Sequence, residues 1–280
     1  MANTLVQDLI EAGIHFGQRA SGWNPKMGAY IYGKRNGIHI IDIKETVKGL
    51  LLAKKFIAKT VASGKDVVFV GTKRQSKSVL EQRVGDAKMH YVTERWLGGT
   101  LTNFRTIRLR LKRLEELEAI QTADNFASYS KKMESQLKRE LAKIKRNLDG
   151  IRKMEKLPGA LVVIDVKHEV TALKEARKLG IPTIALIDTD GDPELVDIPI
   201  PGNDDSMKSI DVVVRELCLA VVDGKSARQV NGENPSGGSG GDDASGPGRG
   251  DQQRRSSRRP TTRASEIATQ EVPEGASAAQ

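Results

Sequence analysis

Asp66-Val-Val-Phe-Val-Gly71 is a short apolar run with no polar residue between its ends. A strand that is covered on one face alternates apolar and polar residues, whereas a parallel strand covered by helices on both faces is apolar throughout. Leu161-Val-Val-Ile-Asp-Val166 and Pro182-Thr-Ile-Ala-Leu-Ile187 have the same character, and Gly37-Ile-His-Ile-Ile-Asp-Ile43 is a similar run rich in β-branched residues. These runs predict four strands, and the first three quoted are typical of a buried parallel sheet.

Amphipathic helices are predicted between these strands. Residues 44–63 place their apolar side chains on one side of a helix, and the pattern ends at Gly64. Further helices are predicted at 76–84, 170–179 and 206–222. Strands that alternate with helices are typical of the α/β class with a doubly wound, mostly parallel sheet.

Residues 105–155 break this alternation. Apolar residues recur every three or four positions in two series, at 104–120 and 137–154, and a polar stretch at 122–130 separates them. This spacing predicts two amphipathic helices that pair as an antiparallel hairpin with a coiled-coil seam. Because the remaining surface is Arg, Lys and Glu, we expect the hairpin to project from the α/β body into solvent or onto a partner.

The predicted domains follow from these patterns. The α/β body is discontinuous, at 1–104 and 156–230, and the hairpin is inserted at 105–155. Residues 231–280 hold nine Gly, seven Ser and four Pro but only two large apolar residues, so we predict a disordered tail. A basic cluster in this tail is either solvated or an auxiliary arm that touches RNA, and both interpretations stay open. Its members are Arg254, Arg255, Arg258, Arg259 and Arg263.

Charge is distributed unevenly along the 280 residues. The formal net charge is +9, made up chiefly of +8 over residues 1–104, +7 over 105–156 and −5 over 157–230. The first two segments are suited to a polyanion, and the third should face away from it. The single cysteine excludes a disulfide scaffold and a cysteine-based zinc module. Because the sequence shows neither a run of about 18 apolar residues nor a secretory leader, we expect a cytoplasmic protein without a membrane partner.

The motifs of nucleotide-binding enzymes are missing from the sequence. Gly71-Thr-Lys-Arg-Gln-Ser76 follows a predicted strand but contains neither the three-glycine fingerprint of a dinucleotide site nor a P-loop. The four histidines are widely spaced and form no metal-binding or acid–base motif. We therefore expect no catalytic residue and no cofactor.

One acidic group leaves two interpretations open. Asp188, Asp204 and Asp205 carry the carboxylates that hard divalent cations prefer, although their spacing is not that of an EF-hand. Asp190-Gly-Asp-Pro193 has the composition of a turn, and Asp204 or Asp205 could cap the helix that begins near Ser206. Turn and capping roles are favoured, and a structural divalent cation is the weaker alternative.

Cations, amides and aromatic rings are interleaved in the first half of the chain. Arginine makes bidentate contacts with phosphate, asparagine reads sugar or base edges, and planar rings stack on bases. Together with the positive charge of residues 1–156, this combination predicts RNA binding. The candidate RNA-binding residues are Trp23, Lys26, Lys34, Arg35, Asn36, Lys73, Arg74, Arg95, Trp96, Asn103, Arg105 and Arg108. Either tryptophan could instead be a core residue.

Several long motifs resemble the bacterial type of small-subunit ribosomal protein two. They are Glu11-Ala-Gly-Ile-His-Phe-Gly17, Trp23-Asn-Pro-Lys-Met27, Arg35-Asn-Gly-Ile-His-Ile-Ile-Asp42, Arg95-Trp-Leu-Gly-Gly-Thr-Leu-Thr-Asn-Phe104 and Ile198-Pro-Ile-Pro-Gly-Asn-Asp-Asp205. The resemblance covers roughly residues 4–226. It implies a Rossmann-like or flavodoxin-like body with a protruding coiled-coil hairpin. It also implies contact with small-subunit ribosomal RNA and with neighbouring proteins, among them the mRNA-binding ribosomal protein one.

The sequence departs from this family at Gln18, where members often have histidine, so a role for that histidine does not carry over. The expected function is that of a structural, non-enzymatic component of the small ribosomal subunit, which acts in translation and helps to dock ribosomal protein one. Two alternatives stay open. One is a nucleotide-binding enzyme with a Rossmann-like pocket, and the other is an RNA-binding regulator that works away from the ribosome.

Overall fold

The structure of the chain is a computed structural model that describes residues 2–122 and 130–233. Of the tail predicted to be disordered at 231–280, residues 231–233 are helical, so the prediction is wrong for these three, and residues 234–280 lie outside the described residues, as does the polar stretch at 123–129. The helices and strands are α1 (Ala2–Glu11), β1 (Phe16–Arg19), β2 (Ile31–Arg35), β3 (Ile38–Ile41), α2 (Ile43–Ala62), β4 (Val67–Val70), α3 (Arg74–Asp86), β5 (His90–Val92), α4 (Phe104–Thr122), α5 (Lys131–Leu148), β6 (Ala160–Ile164), α6 (Val170–Lys178), β7 (Thr183–Ile187), β8 (Ile198–Pro201) and α7 (Met207–Glu233). Short 3₁₀ helices lie at Pro25–Tyr30, Asp149–Ile151 and Pro193–Leu195.

Five parallel strands form the main sheet, in the order β5-β4-β6-β7-β8. Within this sheet the order is 2-1-3-4-5 in chain sequence, which is the flavodoxin-like variant of the doubly wound fold. The strands predicted at 66–71, 161–166 and 182–187 are β4, β6 and β7, so the predicted α/β class with a parallel sheet is confirmed.

The two faces of this sheet pack against different helices. In β4, Val67 and Phe69 belong to the cluster that includes Leu50 of α2 and Leu217 of α7. The alternate residues of β4 belong to a second cluster, which includes Leu173 of α6 and residues at the start of α4 and the end of α5. Because both faces are covered, every β4 side chain is buried, and this explains the continuous apolar run.

A second, antiparallel sheet has the strand order β1-β3-β2. The strand predicted at 37–43 is β3, and it lies in this small sheet rather than in the parallel one. Asn36 and Gly37 form the two-residue turn between β2 and β3, with φ of 51° and 78°. Positive φ at both positions defines the type I′ turn, for which Asn-Gly is the favoured pair.

The outer edge of β8 is covered by α2. The N–H of Gly202 donates to the β7 backbone, so by strand alternation the nitrogens and carbonyls of Pro199 and Pro201 point away from the sheet. The Thr46 hydroxyl donates to the Pro201 carbonyl at 2.6 Å. A Cβ at Gly49 would collide with the Pro199 carbonyl, so glycine permits the close approach of the helix.

Helices α4 and α5 occupy the two series of apolar residues in the segment 105–155. Leu117 and Leu137 are buried against each other, and Glu140 of α5 pairs with Arg110 and Arg113 of α4 at 4.0 and 3.7 Å.

The last helix, α7, extends to Glu233, eleven residues beyond its predicted end. In the described ranges, no helix combines the length and apolar character that crossing a membrane requires.

Candidate nucleic-acid interface

Several predicted site residues lie at one edge of the parallel sheet. Lys73 and Arg74 follow β4, Arg95 follows β5, and Asp188 follows β7. Asp204 comes shortly after β8. Since the carboxyl ends of parallel strands share one edge, the fold brings cations and acids from distant parts of the sequence together there.

Lys73 is held by carboxylates of its own chain. Its Nζ lies 2.7 Å from Asp204 and Asp205 and 3.0 Å from Asp165. Burial opposes the ammonium charge, but attraction to Asp204 and hydrogen bonds to the three carboxylates outweigh it and raise the pKa of Lys73. This side chain therefore stays charged and is directed toward acids, so we leave it out of the proposed RNA surface.

The candidate metal residues form a compact cluster. One carboxylate oxygen from each of Asp188, Asp204 and Asp205 lies within 4.8 Å of the others, so these three could hold a divalent cation. Burial raises the pKa of Asp188 to about 6, and burial together with the charge of Asp165 raises the pKa of Asp204 to about 8. The Lys73 ammonium already supplies positive charge to this cluster.

The side chain of Gln18 donates to the same acids, to Asp188 at 3.3 Å and Asp205 at 2.5 Å.

The expected capping role of the aspartates is wrong. The hydroxyl of Ser206, just before α7, accepts from the backbone N–H of Ser209 at 3.4 Å, and Asn203 Oδ1 accepts from the N–H groups of Asp205 and Ser206. The carboxylates of Asp204 and Asp205 contact Lys73 instead. The turn interpretation fits better, since the side chain of Asp192 accepts from the N–H of Glu194.

The crevice in which doubly wound proteins bind nucleotides contains carboxylates. It lies between β4 and β6, where the strand order reverses. Asp165 follows β6 there, and buried Glu169 accepts from the backbone N–H of Thr72 at 3.2 Å and from its hydroxyl. Because these acids would repel phosphate, the crevice gives no support to the nucleotide-binding alternative.

Trp96 lies in the core and not at the surface. It is 7% exposed, and its indole nitrogen donates to Glu175 at 3.2 Å. The same carboxylate accepts from the backbone N–H groups of Gly99 and Leu101 at 2.7 and 3.0 Å, and from Thr102. The ring cannot stack on a base in this position, so Trp96 is also left out of the proposed RNA surface.

Glu175 is the functional residue that sequence reasoning misses. It lies between Ala172 and Ala176 on the buried side of α6. Burial acts to raise its pKa, but the hydrogen bonds from Gly99, Leu101 and the neighbouring groups prevail and lower it. A charged residue within the apolar stripe of a helix was the available signal, because such a side chain needs polar partners when it is buried.

Two candidate RNA-binding residues near the small sheet, Trp23 and Lys26, differ in how free they are to contact RNA. Trp23 is 37% exposed, and its ring centroid lies 5.0 Å from that of His39. Lys26 pairs with Asp192 at 3.0 Å and with Glu194, and hydrogen bonds to both raise its pKa. Its charge is thus matched by acids of the C-terminal third.

The remaining candidates are at the surface. Lys34, Arg35, Arg74, Arg95 and Arg105 are exposed, and the structure records no ion pair for them among the residues it describes.

Three other candidates have local roles. Asn36, also exposed, forms the β2–β3 turn. Asn103 accepts from the Thr106 hydroxyl at 2.8 Å, near the start of α4. Arg108 donates to the carbonyl of Met154 at 3.1 Å. The Arg108 contact ties the start of α4 to the segment that follows α5.

The family model for ribosomal protein S2 matches residues 9–224. A protein of Rhodopirellula baltica named small ribosomal subunit protein uS2 is 55% identical over 229 residues, which cover 82% of this chain and 88% of the relative. Proteins with the same name from Syntrophobacter fumaroxidans and Synechocystis are each 45% identical. They cover 80% and 78% of this chain, and 82% and 81% of the relatives.

Proposed function

The chain belongs to the ribosomal protein S2 family, and from that membership we propose that it contacts ribosomal RNA through its exposed arginines and lysines. Proteins of this family are structural components of the small ribosomal subunit in translation, not enzymes, and this protein is therefore ribosome-bound in the cytoplasm.

The RNA-binding proposal rests on one observation, that some basic side chains are neutralised by acids of the same chain while others are exposed without a recorded acid partner. Lys26 and Lys73 are held by intramolecular carboxylates, whereas Arg35, Arg74 and Arg105 are exposed without a recorded acid partner in the described ranges. An exposed guanidinium can form two parallel hydrogen bonds to a phosphate. The positive charge of residues 1–156 adds a favourable long-range field.

We also propose that α4 and α5 form an antiparallel coiled-coil hairpin that projects from the α/β body. The apolar contact of Leu117 with Leu137 and the pairing of Glu140 with two arginines of α4 support this arrangement. Arg105 is at the base of the hairpin, where α4 begins. The hairpin would thus add a basic surface next to Arg95.

The acidic C-terminal third is the proposed protein-binding part. Residues 157–230 carry a net charge of −5, so this part should face away from RNA. Among the neighbouring proteins that it would contact is ribosomal protein one, which it helps to dock. Small subunits assembled with the wild-type chain should therefore retain ribosomal protein one better than subunits that lack this chain.

The salt dependence of binding tests the RNA proposal. Each phosphate that a cation neutralises releases counterions, so about six contacts should lower the affinity for small-subunit ribosomal RNA on the order of 10³-fold between about 50 and 200 mM salt. Filter binding of the full chain would measure this. A nearly flat salt dependence would contradict the proposal. Cosedimentation with small subunits separates the ribosomal function from that of a free RNA-binding regulator.

A further inference from the structure

One face of the small antiparallel sheet is open to solvent. Arg19 of β1 and Arg35 of β2 both pair with Ile38 of the central strand, so these three side chains form one row across the sheet. Phe16 and Gly33 both pair with Ile40 and form the neighbouring row. An irregularity between Phe16 and Arg19 keeps both residues on this face although they are three apart in sequence.

The exposures of these residues distinguish the two faces of the sheet. Phe16 is 49% exposed and Ile38 is 37% exposed, and both arginines are exposed as well. On the opposite face, His39 and Ile41 are buried. An antiparallel sheet with one covered face usually has polar residues on the other, so an exposed aromatic ring and isoleucine here call for an explanation.

The ring of Phe16 packs against residues that precede β1. Its centroid lies 4.1 Å from that of His15, and its edge rests over Gly13. Gly33 lies in the same row beyond Ile40, and apart from its chain neighbours no atom lies within 4 Å of the position that a Cβ would take there, so this end of the row is open. The row thus has a half-exposed aromatic ring at one end and open space at the other.

We propose that this face, formed by Phe16, Arg19, Arg35, Ile38 and Ile40, binds unpaired nucleotides of RNA, with a base stacked on Phe16 and the two arginines on the flanking phosphates. Aromatic residues that bind single strands use the π-face that every base has, and cations beside them follow the backbone. Neighbouring strands are about 4.8 Å apart, so the arginines lie about 10 Å apart on either side of Ile38. This inference deepens the proposed RNA-binding function and depends on it.

The positive charge favours RNA over a protein partner. Arg19 and Arg35 bracket the apolar residues, and neither has a recorded carboxylate partner within residues 5–122 and 130–229. A protein-docking patch would be expected to place apolar residues at its centre with few uncompensated charges. Here the residue between the two guanidinium groups is Ile38, and the ring of Phe16 lies in the neighbouring row.

The test compares variants of the full chain on two probes, a single-stranded RNA of about 12 nucleotides and a duplex of the same length. Phe16→Ala should weaken binding to the single strand about tenfold, with no change in its salt dependence and no change on the duplex. Phe16→Trp should retain binding. Arg19→Ala should instead lower the slope of log affinity against log salt by about one. Leu52→Ala, which alters an exposed apolar residue of α2, is the matched control.

Three outcomes would overturn the inference. The first is equal binding of the single strand by wild type and Phe16→Ala, with circular dichroism showing both folded. The second is an equal loss on both probes, which would mean that Phe16 supports the fold or the general RNA surface. The third is unchanged RNA binding with poorer incorporation into small subunits, which would indicate a protein contact. If wild type binds ribosomal RNA with steep salt dependence in any of these cases, the proposed function stands while this inference fails.

Discussion

The carboxylate of Glu175 accepts a hydrogen bond from the indole nitrogen of Trp96 at 3.2 Å. Three backbone N–H groups of the segment that follows Trp96 donate to the same carboxylate. Within this segment Gly99 has φ of 90°, a conformation that glycine adopts without strain. A buried acid of α6 thus shapes the loop that leads into α4.

Replacing this acid should destabilise the protein. In a Glu175→Gln variant, the amide NH₂ would face backbone donors, and at least one donor would lose its partner. Hydrogen bonds to charged groups contribute about 2 kcal/mol each, so the melting temperature should fall by roughly 4–8 °C. Calorimetry measures this. Glu116→Gln, on the exposed surface of α4, should leave the melting temperature unchanged, and an equal effect of both variants would contradict the role of Glu175.

The stabilisation by Glu175 should depend on pH. Its pKa in the folded protein is lowered, because the backbone hydrogen bonds outweigh the effect of burial. A group with a lowered folded pKa stabilises the protein above its unfolded value, about 4.3 for glutamate, and this contribution is lost as the pH falls through the folded value. Urea unfolding should therefore show a large difference between wild type and Glu175→Gln at about pH 7 and a smaller one near pH 3. A difference that stays constant over this range would contradict the assignment.

Charge reversal at Arg105 should weaken RNA binding without unfolding the protein. Arg105 is exposed at the start of α4, and no ion pair is recorded for it in the described part of the chain. Arg105→Glu should lower cosedimentation with small subunits while circular dichroism stays unchanged. The control Lys174→Glu reverses an exposed charge of α6, in the acidic third. If Arg105→Glu incorporates as well as wild type, Arg105 is solvated surface.

Removing the ammonium of Lys73 should lower the stability of the fold, whereas charge reversal at Arg105 should leave it intact. Three carboxylates would lose their common partner, and breaking a buried ion pair on one side costs about 3–5 kcal/mol. Lys73→Met should therefore lower the melting temperature by roughly 10 °C. The double variant Lys73→Met with Asp204→Asn should recover part of this loss when the pH is raised above about 8, because burial raises the pKa of Asp204 to about 8 and its ionised form would lack a cation there. Without any recovery, the electrostatic explanation fails.

Deletion of residues 234–280 should hardly affect the stability of the folded part. Helix α7 ends at Glu233, and the deleted sequence contains only two large apolar residues, so little buried apolar surface is expected to be lost. The melting temperature should move by less than about 4 °C. A larger shift would show that the tail contributes to the folded structure.

The parallel sheet was predictable where strands are buried on both faces. The apolar runs that became β4, β6 and β7 are short and rich in β-branched residues, which favours strands over buried helix segments. Strand β5 has three residues, too few for a pattern, and the prolines of β8 argue against a strand unless it lies at an edge. The run at 37–43 predicted the strand β3 but not its sheet, since a short apolar run does not reveal its neighbours.

The candidate site was less predictable, because charge alone does not show which cations are free. Lys73 follows a strand as expected, but its partners Asp165 and Asp204 are 92 and 131 residues away in sequence. Trp96 looked suited to stacking, but it is buried and bonded to Glu175, which is 79 residues away in sequence. Arg19 and Phe16 gave no sequence signal, since the irregularity that brings them to one face is a property of strand pairing.

The covered outer edge of β8 affects how the protein behaves before it is assembled into a ribosome. A bare outer strand invites a strand from another copy, and this is a common first step in aggregation. Here Pro199 and Pro201 offer no N–H on that side, and α2 covers their carbonyls at Thr46 and Gly49. Newly made chains that await assembly therefore lack a template for growth along this side of the sheet.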